Sequence, residues 1–590
     1  MTDVAPFPAT LTRLVAGYAR RHWRPYLLSA IMLAGVAALT VSLPRQVGVM
    51  VDGLAHGELH GDALLPRLLM MIATGFAIYG LRVAWRMQLY AASYRMGREL
   101  RINLYNRLAA QGPAFFQQQR TGDLMALATN DVDAVEMAAG EALLAGFDGS
   151  LTLVMVVAMM SLSINLQLAL ITLAPFPLMA FAFWRISNQI HQASRDSLQR
   201  FSRLNDFTQE SLAGVRTVRA LGLEERSAAE FAQLAEDAAA ASLRAQRWEA
   251  AYEPAVGLTL VLAGALILGV GGYMVWQNEL TVGALTAFSM YLVQLIWPMF
   301  AAGWVLSLME RGRAAWDRLE PVLNMPLSVN DHGHIDSVSH GALEFDMVTF
   351  HYPGQRDAAL DQVSFRISAG GTLGLVGATG AGKSSVVRLI LRQFEAQSGR
   401  VSWNDATLHD YQLEALHGAL RWVPQEAFLF SSSIAENIAL GKPTATQDEI
   451  EQAARLAAIH DDILRFPQGY ATPVGERGVT LSGGQRQRVA IARALIAEAP
   501  LLLLDDALSA VDTQTECDIL HHLRERRAQS AGGMIVISHR LSAVMEADEI
   551  LVLEHGRIVE RGTHAELLAR DGWYAAQWRY QQLEASLDAA

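Results

Sequence analysis

The sequence predicts two unlike parts: a polytopic α-helical membrane domain, and after it an α/β domain. Three observations support this fold class. The chain has 590 residues, 52% of them hydrophobic and 18% charged, so it is too apolar for one soluble enzyme and too long for one domain. Long apolar runs fill the first half. The second half instead carries short strand runs, glycine turns and dispersed charge.

A polar stretch from Leu327 to His340 marks the boundary between these halves. We therefore assign residues 1–25 to a cytoplasmic N-terminal segment and 26–325 to a transmembrane domain of six helices. Residues 326–340 form a linker. Residues 341–590 form the α/β domain, which ends in a helical tail.

The six predicted spans are long enough to cross a bilayer, which takes about 20 apolar residues of helix. They lie at 26–43, 66–85, 142–162, 165–184, 255–276 and 283–309. The connections after the second and fourth spans are long and rich in arginine, and the positive-inside rule places them and the N-terminus in the cytoplasm. The first span follows several arginines and is long enough to remain as an anchor, so we expect no cleaved signal peptide.

The net charge argues against nucleic-acid binding, and the cysteine content argues against a disulfide-linked chain. The net charge is −12, and the second half has no basic stripe, which argues against nucleic acid as a partner. The single cysteine, Cys517, excludes an intrachain disulfide and fits a reducing compartment.

Two features inside the spans allow alternative interpretations. Asp148 is a costly charge in the third span. It either lies near the inner headgroups or pairs with Arg82, or it serves as a substrate-facing or relay carboxylate. A series of Met and aromatic residues in the sixth span either lines an adaptable cavity for amphipathic cargo or serves lipid contact and helix packing. The series comprises Met290, Tyr291, Trp297, Met299, Phe300 and Trp304.

A phosphate-binding loop is the clearest motif of the second half. The run from Gly377 to Ser384 follows an apolar strand and precedes a helix, so its backbone N–H groups and the helix dipole can hold phosphate. Lys383 is one of only two lysines in a chain that otherwise uses arginine, which indicates that a compact ammonium is needed there. The predicted nucleotide contacts from this region are Gly377, Thr379, Gly380, Gly382, Lys383, Ser384 and Ser385.

Further candidates follow in order along the chain. Tyr352 is placed to stack on adenine, the alternative being a surface aromatic. Ser384, Gln425 and Asp505 are the predicted Mg²⁺ ligands, Asp505 acting through water. Gln425 also contacts the attacking water, and His539 donates to the γ-phosphate. The run from Leu481 to Gln485 lies between Gln425 and Asp505 in this order.

In this order the motifs resemble those of the ATP-binding cassette (ABC) exporters, and the resemblance covers the whole chain. The chain looks most like the bacterial Mdl-type multidrug-resistance-like half-transporters, through Asp505 to Asp512, His460 to Leu464 and Arg579 to Leu583. The resemblance implies an α/β P-loop ATP-binding cassette on the cytoplasmic side of a bacterial inner (plasma) membrane. It also implies ATP and Mg²⁺ as cofactors and ATP hydrolysis coupled to transport.

The resemblance further implies that two cassettes meet head to tail. Each γ-phosphate would then lie between one chain's phosphate loop and the other chain's Leu481 to Gln485, where Ser482, Gly483, Gly484 and Gln485 would contact the nucleotide. Ser509 to Asp512 would cross the dimer and Val474 to Gly478 would sense the membrane domains. The two long cytoplasmic connections would provide coupling helices at their turns.

Asp506 departs from the family pattern, which has Glu as the catalytic carboxylate at this position. The side chain is one methylene shorter, and a misplacement of about 1 Å can cost on the order of 10²-fold in rate. Asp506 is therefore either a tolerated catalytic residue in a homodimer or the mark of a slow site in a heterodimer whose partner supplies the Glu.

The sequence thus predicts a heterodimeric ATP-driven exporter, working by alternating access, that moves amphipathic small molecules or lipids out of the cytoplasm or inner leaflet. Its partners are a second, different half-transporter and membrane lipids. Three alternatives remain open: a homodimer that uses Asp506, an exporter-fold importer of a metal chelate, and a nucleotide-gated channel or regulator.

Overall fold

The structure is a computed structural model that describes residues 6–59, 63–475, 478, 480–529 and 532–588, without the side chains at 527–529, 585 and 588. Within these residues the chain forms two compact units. The membrane unit comprises Met1–Arg107 and Gly122–Met325, and the α/β unit comprises Leu108–Thr121 and Pro326–Ala590. Each unit has its own hydrophobic core.

The membrane unit is built from helices long and apolar enough to cross a bilayer, and six of them lie in the described part of the chain. In order these spans are Trp23–Ala55, Leu64–Ala109, Thr121–Ile164, Leu166–Ala213, Glu224–Trp276 and Val282–Asn324. A short helix, Leu11–Arg21, precedes them. The prediction of six spans is confirmed, and the helices run well past the predicted ends because the arginine-rich connections continue them.

Interruptions divide several of these spans. π-helical turns lie at Leu127–Asp131, Ala138–Ala142 and Met159–Ile164 in the third span and at Ile267–Gly271 in the fifth. The fourth span breaks between Leu166–Leu173 and Phe176–Ala213, and the fifth breaks between Glu224–Ala250 and Tyr252–Leu266. The sixth breaks between Val282–Gln294 and Ile296–Asn324.

Side chains of the sixth span compensate for a proline in the first. Pro44 has no N–H, so the carbonyl of Thr40 one turn earlier loses its helical donor. The Gln294 side chain donates to that carbonyl at 3.0 Å, and the Tyr291 hydroxyl donates to the neighbouring Val41 carbonyl at 2.8 Å. These two bonds fix the first span against the sixth inside the apolar core.

The α/β unit includes a turn from the first long connection. Its short helix, Pro113–Gln118, belongs to this unit and not to the spans that flank it. The backbone N–H of Gly112 donates to Ser328 Oγ at 3.0 Å, and the Gln111 side chain donates to the Pro326 carbonyl at 3.2 Å. The turn is therefore tied to the residues that lead into the second half.

Two sheets form the core of the α/β unit. The antiparallel sheet has the order β2-β1-β4-β5, and the second sheet has the order β10-β9-β3-β8-β7-β6, parallel apart from β10. The strands are β1 Leu343–Phe350, β2 Leu360–Ile367, β3 Thr372–Gly377, β4 Ser398–Trp403, β5 Ala406–Thr407, β6 Leu420–Val423, β7 Leu501–Asp505, β8 Gly533–Ile537, β9 Glu549–Glu554 and β10 Arg557–Gly562.

Helices cover this parallel sheet, as its buried strands require. β3 and β8 are buried at every position, which explains their continuous apolar sequence. The helices of the unit are Lys383–Ile390, Leu413–Gly418, Ile434–Ala439, Gln447–Leu456, His460–Leu464, Gly483–Leu495, Thr513–Gln529, His564–Ala569 and Trp573–Asp588, with 3₁₀ turns at Leu408–Asp410, Gly469–Ala471 and Leu541–Ala543. The fold class is therefore the one that the sequence predicts.

Candidate functional site

Four of the predicted site segments, the phosphate loop, Gln425, Asp505–Asp506 and His539, lie at one edge of the parallel sheet. β3, β6, β7 and β8 are parallel, so their carboxyl ends meet at the same edge. The phosphate loop follows β3, Gln425 follows β6, Asp506 follows β7 and His539 follows β8. Segments far apart in sequence thus reach one surface because of the strand order.

The phosphate loop has the backbone that a phosphate cradle needs. Gly380 and Gly382 have φ of 82° and 103°, in the left-handed region that favours glycine. A Cβ at Gly382 would lie 2.3 Å from the Ala359 carbonyl oxygen. Thr379 is exposed in the turn between them and β3. The loop therefore presents backbone at a place where most side chains would clash.

Lys383 is buried at the start of the helix after this loop. Its ammonium donates to the carbonyls of Gly377 and Ala378 at 2.8 and 2.9 Å. Burial lowers the pKa of Lys383, and the nearby carboxylates of Asp506 and Asp505 act in the opposite direction. The ammonium is thus desolvated and placed beside the loop, where an anion would stabilise its charge.

Ser384 and Asp505 form the pair expected of a divalent-cation site. The Ser384 hydroxyl donates to the Asp505 carboxylate at 2.9 Å, and burial raises the pKa of Asp505. A buried carboxylate with a raised pKa is one whose charge would be stabilised by a cation.

This donor set fits Mg²⁺ bound together with a nucleotide. The described residues contain no group of three His, Cys, Asp or Glu side chains that could hold a metal on their own. Mg²⁺ needs no such cage, because it keeps several waters and takes one or two protein oxygens plus phosphate oxygens. Ser384, Gln425 and Asp505 would hold such an ion, which would supply positive charge to stabilise negative charge on the phosphates.

Asp506 is held rigidly at the end of β7. Its φ is +50°, and its residue is only 7% exposed. Its backbone N–H donates to the Ile537 carbonyl at 2.9 Å, and its carbonyl accepts from the Ser509 hydroxyl at 2.9 Å. The Gln425 side chain approaches the Asp506 carboxylate at 3.4 Å. Hydrogen bonds therefore hold the backbone on both sides of the shorter side chain.

Tyr352 lies beside the phosphate-loop helix. Its hydroxyl is 2.9 Å from Ser385 Oγ and accepts from the Arg388 guanidinium at 2.8 Å. That guanidinium lies 5.5 Å from the centre of the tyrosine ring. Phe350 and Phe394 also contact the ring by their edges. Tyr352 is therefore in reach of the nucleotide-binding loop, as predicted, while its stacking on adenine stays a prediction.

The loop that carries His539 is supported from the far end of the chain. His539 itself is exposed. Gln581, in the tail helix Trp573–Asp588, donates to the His539 carbonyl at 2.7 Å and accepts from the Leu541 N–H at 3.0 Å. Neighbouring Arg540 forms an ion pair of 2.5 Å with the buried carboxylate of Glu516. These contacts fix the backbone on both sides of the histidine.

The run from Leu481 to Gln485, called the signature motif below, lies at the start of a helix. The Ser482 hydroxyl accepts from the Gln485 N–H at 3.2 Å, and the Gln485 side chain accepts from the Ser482 N–H at 3.0 Å, which is a capping box on the helix Gly483–Leu495. A Cβ at Gly484 would lie 2.8 Å from the Ala510 carbonyl. The helix N-terminus is thus exposed, well formed and close to the segment Ser509 to Asp512.

The helix that this motif begins packs against the helices Ile434–Ala439 and Gln447–Leu456 and against β6. The Gln487 side chain, on the same helix, donates to the Pro424 carbonyl at 3.0 Å, which connects the helix to the segment before Gln425. Of the predicted sensing segment Val474 to Gly478, Glu476 and Arg477 lie outside the described residues.

Two residues of this region were missed by sequence reasoning. Arg388 contacts Tyr352, and its position one turn after the phosphate loop could have suggested such a contact. Gln581 lies in the segment Arg579 to Leu583, which the sequence analysis used only as a mark of resemblance. No local signal connects Gln581 to a histidine loop 42 residues earlier.

The structure also bears on the two features of the spans that allowed alternative interpretations, Asp148 and the series of Met and aromatic residues. Asp148 accepts a hydrogen bond from the Trp297 indole at 3.1 Å, and within the described residues it forms no ion pair with Arg82. Tyr291 is fully buried and its hydroxyl donates to the Val41 carbonyl, which favours the helix-packing interpretation at this position. Trp297, Phe300 and Trp304 remain exposed.

Comparisons with known families agree with this arrangement. The family "ABC transporter transmembrane region" matches residues 26–299, and the family "ABC transporter" matches residues 360–509. Together the two matches cover most of both units.

Curated relatives match along nearly the whole chain. The "Multidrug resistance-like ATP-binding protein MdlA" of Escherichia coli is 45% identical over 97% of this chain and 97% of its own. The "Probable multidrug resistance ABC transporter ATP-binding/permease protein YheI" of Bacillus subtilis is 36% identical over 96% of each. The "ATP-dependent lipid A-core flippase" of Chromohalobacter salexigens is 31% identical over 98% of this chain and 99% of its own.

A solved structure gives the same result for the fold. A bacterial Atm1-family ABC exporter with ATP bound matches with a TM-score of 0.75 and 30% identity, over 95% of this chain and 98% of that one. The fold, the ordered motifs at the sheet edge and these relatives lead to one conclusion: the chain belongs to the ABC exporters, as an ATP-hydrolysing transporter with a membrane domain and an ABC domain.

Proposed function

We propose that this chain is one half of a heterodimeric ABC exporter and carries its slow ATP site. Its phosphate loop would bind ATP and hold the dimer together. A partner chain would supply the Glu of the second, fast site. The observation that carries this proposal is Asp506, a shortened carboxylate on a backbone that hydrogen bonds hold on both sides.

The nucleotide contacts follow from the same geometry. Ser384, Gln425 and Asp505 would hold Mg²⁺, and Lys383 would contact the β- and γ-phosphates. Tyr352 would contact adenine, and His539 would donate to the γ-phosphate. These groups bind and orient ATP. None of them replaces a catalytic carboxylate, so the proposed site binds well and cleaves slowly.

The signature motif supports the other half of the proposal. Ser482 to Gln485 begins a capped helix with an exposed N-terminus, which is the form needed to meet a phosphate from another chain. We infer that it completes the fast site in trans, against the partner's phosphate loop. The slow hydrolysis caused by Asp506 would then affect only one of the two ATP sites, each of which is formed by both chains.

Transmission to the membrane domain would use the two cytoplasmic turns. The first turn, at Pro113–Gln118, is tied to the α/β unit of its own chain. The second turn, around Val215–Ala220, has no buried residue, and Leu212 and Leu221 on either side of it are 69% and 65% exposed. Such apolar exposure supports contact with a second chain. ATP binding would close the cassettes and open the cavity outward.

The setting proposed for this cycle is a bacterial inner membrane with the ABC domain in the cytoplasm. The cargo would be an amphipathic small molecule or a lipid. The names of two relatives, a multidrug-resistance-like protein and a lipid A-core flippase, support this range of cargo. The arginine-rich connections support the orientation.

The test is a comparison of two carboxylate substitutions in the reconstituted pair. We expect Asp506→Asn to lower ATPase activity less than about threefold, and removal of the partner's Glu to lower it by 10²-fold or more, since only the latter displaces a working carboxylate. Asp506→Glu restores the missing methylene and serves as the matched control; it should raise turnover at this site.

A homodimer would give a different result. The chain alone would then hydrolyse ATP at a rate typical of transport, and Asp506→Asn would abolish that activity. Equal loss from the two substitutions in the pair would also overturn the proposal.

A further inference from the structure

Asp148 and Trp297 lie at the same depth of the membrane unit. Counting 1.5 Å per residue, Asp148 is about 24 Å from the end of the third span at Ile164, and Trp297 is about 22 Å from the start of the sixth span at Val282. The hydrocarbon core of a bilayer is about 30 Å thick. Both residues therefore lie within it, in the half closer to the long connections.

Their contact brings two spans together. The Trp297 indole N–H donates to the Asp148 carboxylate at 3.1 Å. A Cβ at neighbouring Gly149 would lie 3.6 Å from Pro298 Cα, so the third and sixth spans touch directly here. The sixth span is also interrupted just before, at Leu295, and Pro298 cannot donate to the Gln294 carbonyl. Interrupted helices are common at transport sites.

One hydrogen bond leaves most of the carboxylate unsatisfied. Asp148 is only half-buried. Among the described residues Trp297 is the one side chain that bonds to it, so the rest of the carboxylate is open to a polar partner, which a charge inside a span requires.

Aromatic faces flank this carboxylate. Trp297, Phe300 and Trp304 recur at intervals of three and four residues, so they share one face of the helix. Half of Trp297 is exposed, as are 43% of Phe300 and 41% of Trp304. Phe183 of the fourth span packs on Phe300 at 6.4 Å and extends the surface. A carboxylate beside exposed aromatic rings is the arrangement that binds organic cations.

We propose that Asp148 and Trp297 form a cargo site that binds the charged group of an amphipathic cation, and so select cationic over anionic cargo. The inference rests on the proposed export function, which it narrows to one charge class. The carboxylate supplies the counter-charge, while the aromatic face receives the apolar part of the cargo.

Two ions of matched size and opposite charge provide the probes. Tetraphenylphosphonium and tetraphenylborate differ chiefly in sign, so their equilibrium binding to the purified pair isolates charge selection. We expect the parent to prefer the cation. Asp148→Asn should weaken cation binding about tenfold and leave the anion within twofold, because only the cation loses a counter-charge.

Matched variants separate the site from general damage. Asp148→Glu keeps the charge and should retain cation preference. Trp297→Phe keeps a ring but loses the donor, and should weaken the cation by a few-fold. Glu279→Gln removes an exposed carboxylate of the same unit and should change neither affinity.

Two results would overturn the inference: unchanged cation binding by Asp148→Asn, or an equal loss of both ions. Neither result affects the ATPase test of Asp506. Conversely, a pair that hydrolyses ATP equally at both sites would contradict the heterodimer, yet leave cation selection by Asp148 in place.

Discussion

At the scale of single residues, the site is a set of charges kept out of water. Lys383 and Asp505 are both buried. Burial lowers the pKa of Lys383 and raises the pKa of Asp505, so it favours the uncharged form of each side chain. Burying the charged forms costs free energy. A bound nucleotide and cation would offset this cost by stabilising both charges. Without ligands, the two buried charges therefore lower the stability of the folded protein, and the same charges favour ligand binding.

Asp505→Asn should stabilise the nucleotide-free protein while removing its response to Mg-ATP. The pKa of Asp505 is raised in the folded state, so its ionised form destabilises the fold, and this penalty grows as pH rises through the raised pKa. The amide keeps an oxygen for the Ser384 hydroxyl. We expect Tm at neutral pH to rise by about 2–4 °C, equivalent to about 1 kcal/mol.

Thermal unfolding of the full chain in detergent measures this change, with and without Mg-ATP. The gain over the parent should vanish in acid, where Asp505 is protonated in both states. Asp461→Asn, at an exposed aspartate, is the control and should leave Tm unchanged. A fall in Tm for Asp505→Asn would show that ionised Asp505 stabilises the empty site.

At the scale of elements, the site depends on strand order and on one helix from the C-terminal end. Parallel neighbours bring the phosphate loop, Gln425, Asp506 and His539 to one edge. The tail helix then fixes the histidine loop through Gln581. Position along the chain is thus a poor guide to which element supports the nucleotide.

Gln581→Ala should weaken discrimination of ATP from ADP. Two hydrogen bonds to the backbone beside His539 are lost, each worth about 1 kcal/mol, so the histidine would be held less firmly toward the γ-phosphate. We expect the ratio of ATP to ADP affinity to fall about fivefold.

Nucleotide titrations of the full chain measure that ratio. Gln582→Ala alters the adjacent, exposed glutamine and should leave the ratio at its parent value. A parallel loss of ATP and ADP affinity in Gln581→Ala would mean that the tail acts on the fold of the unit and not on the histidine.

At the scale of the whole molecule, the single cysteine offers a direct test of orientation. Cys517 is exposed on the helix Thr513–Gln529 of the α/β unit. If that unit faces the cytoplasm, an impermeant maleimide should label the protein in inverted membrane vesicles and not in intact spheroplasts. Cys517→Ser should remain unlabelled in both. Labelling of spheroplasts would reverse the proposed orientation.

Much of the architecture could be predicted because its signals are local. Apolar runs predict the spans, and glycine spacing after a buried strand predicts the phosphate loop. The pairing of Asp148 with Trp297 joins residues 149 positions apart, and the hydrogen bond from Tyr291 to the Val41 carbonyl joins two spans that are also distant in sequence. Such contacts depend on how spans pack, which no local pattern encodes.

The tie between Gln581 and the His539 loop also bears on biogenesis. Chains emerge from the ribosome with the N-terminal part first, and domains fold as units during synthesis. The histidine loop would stay unsupported until residue 581 has been made, long after the membrane spans have left the ribosome. We therefore expect the spans to insert into the bilayer before the chain can bind ATP tightly. An unfinished chain would then not hydrolyse ATP before it is anchored.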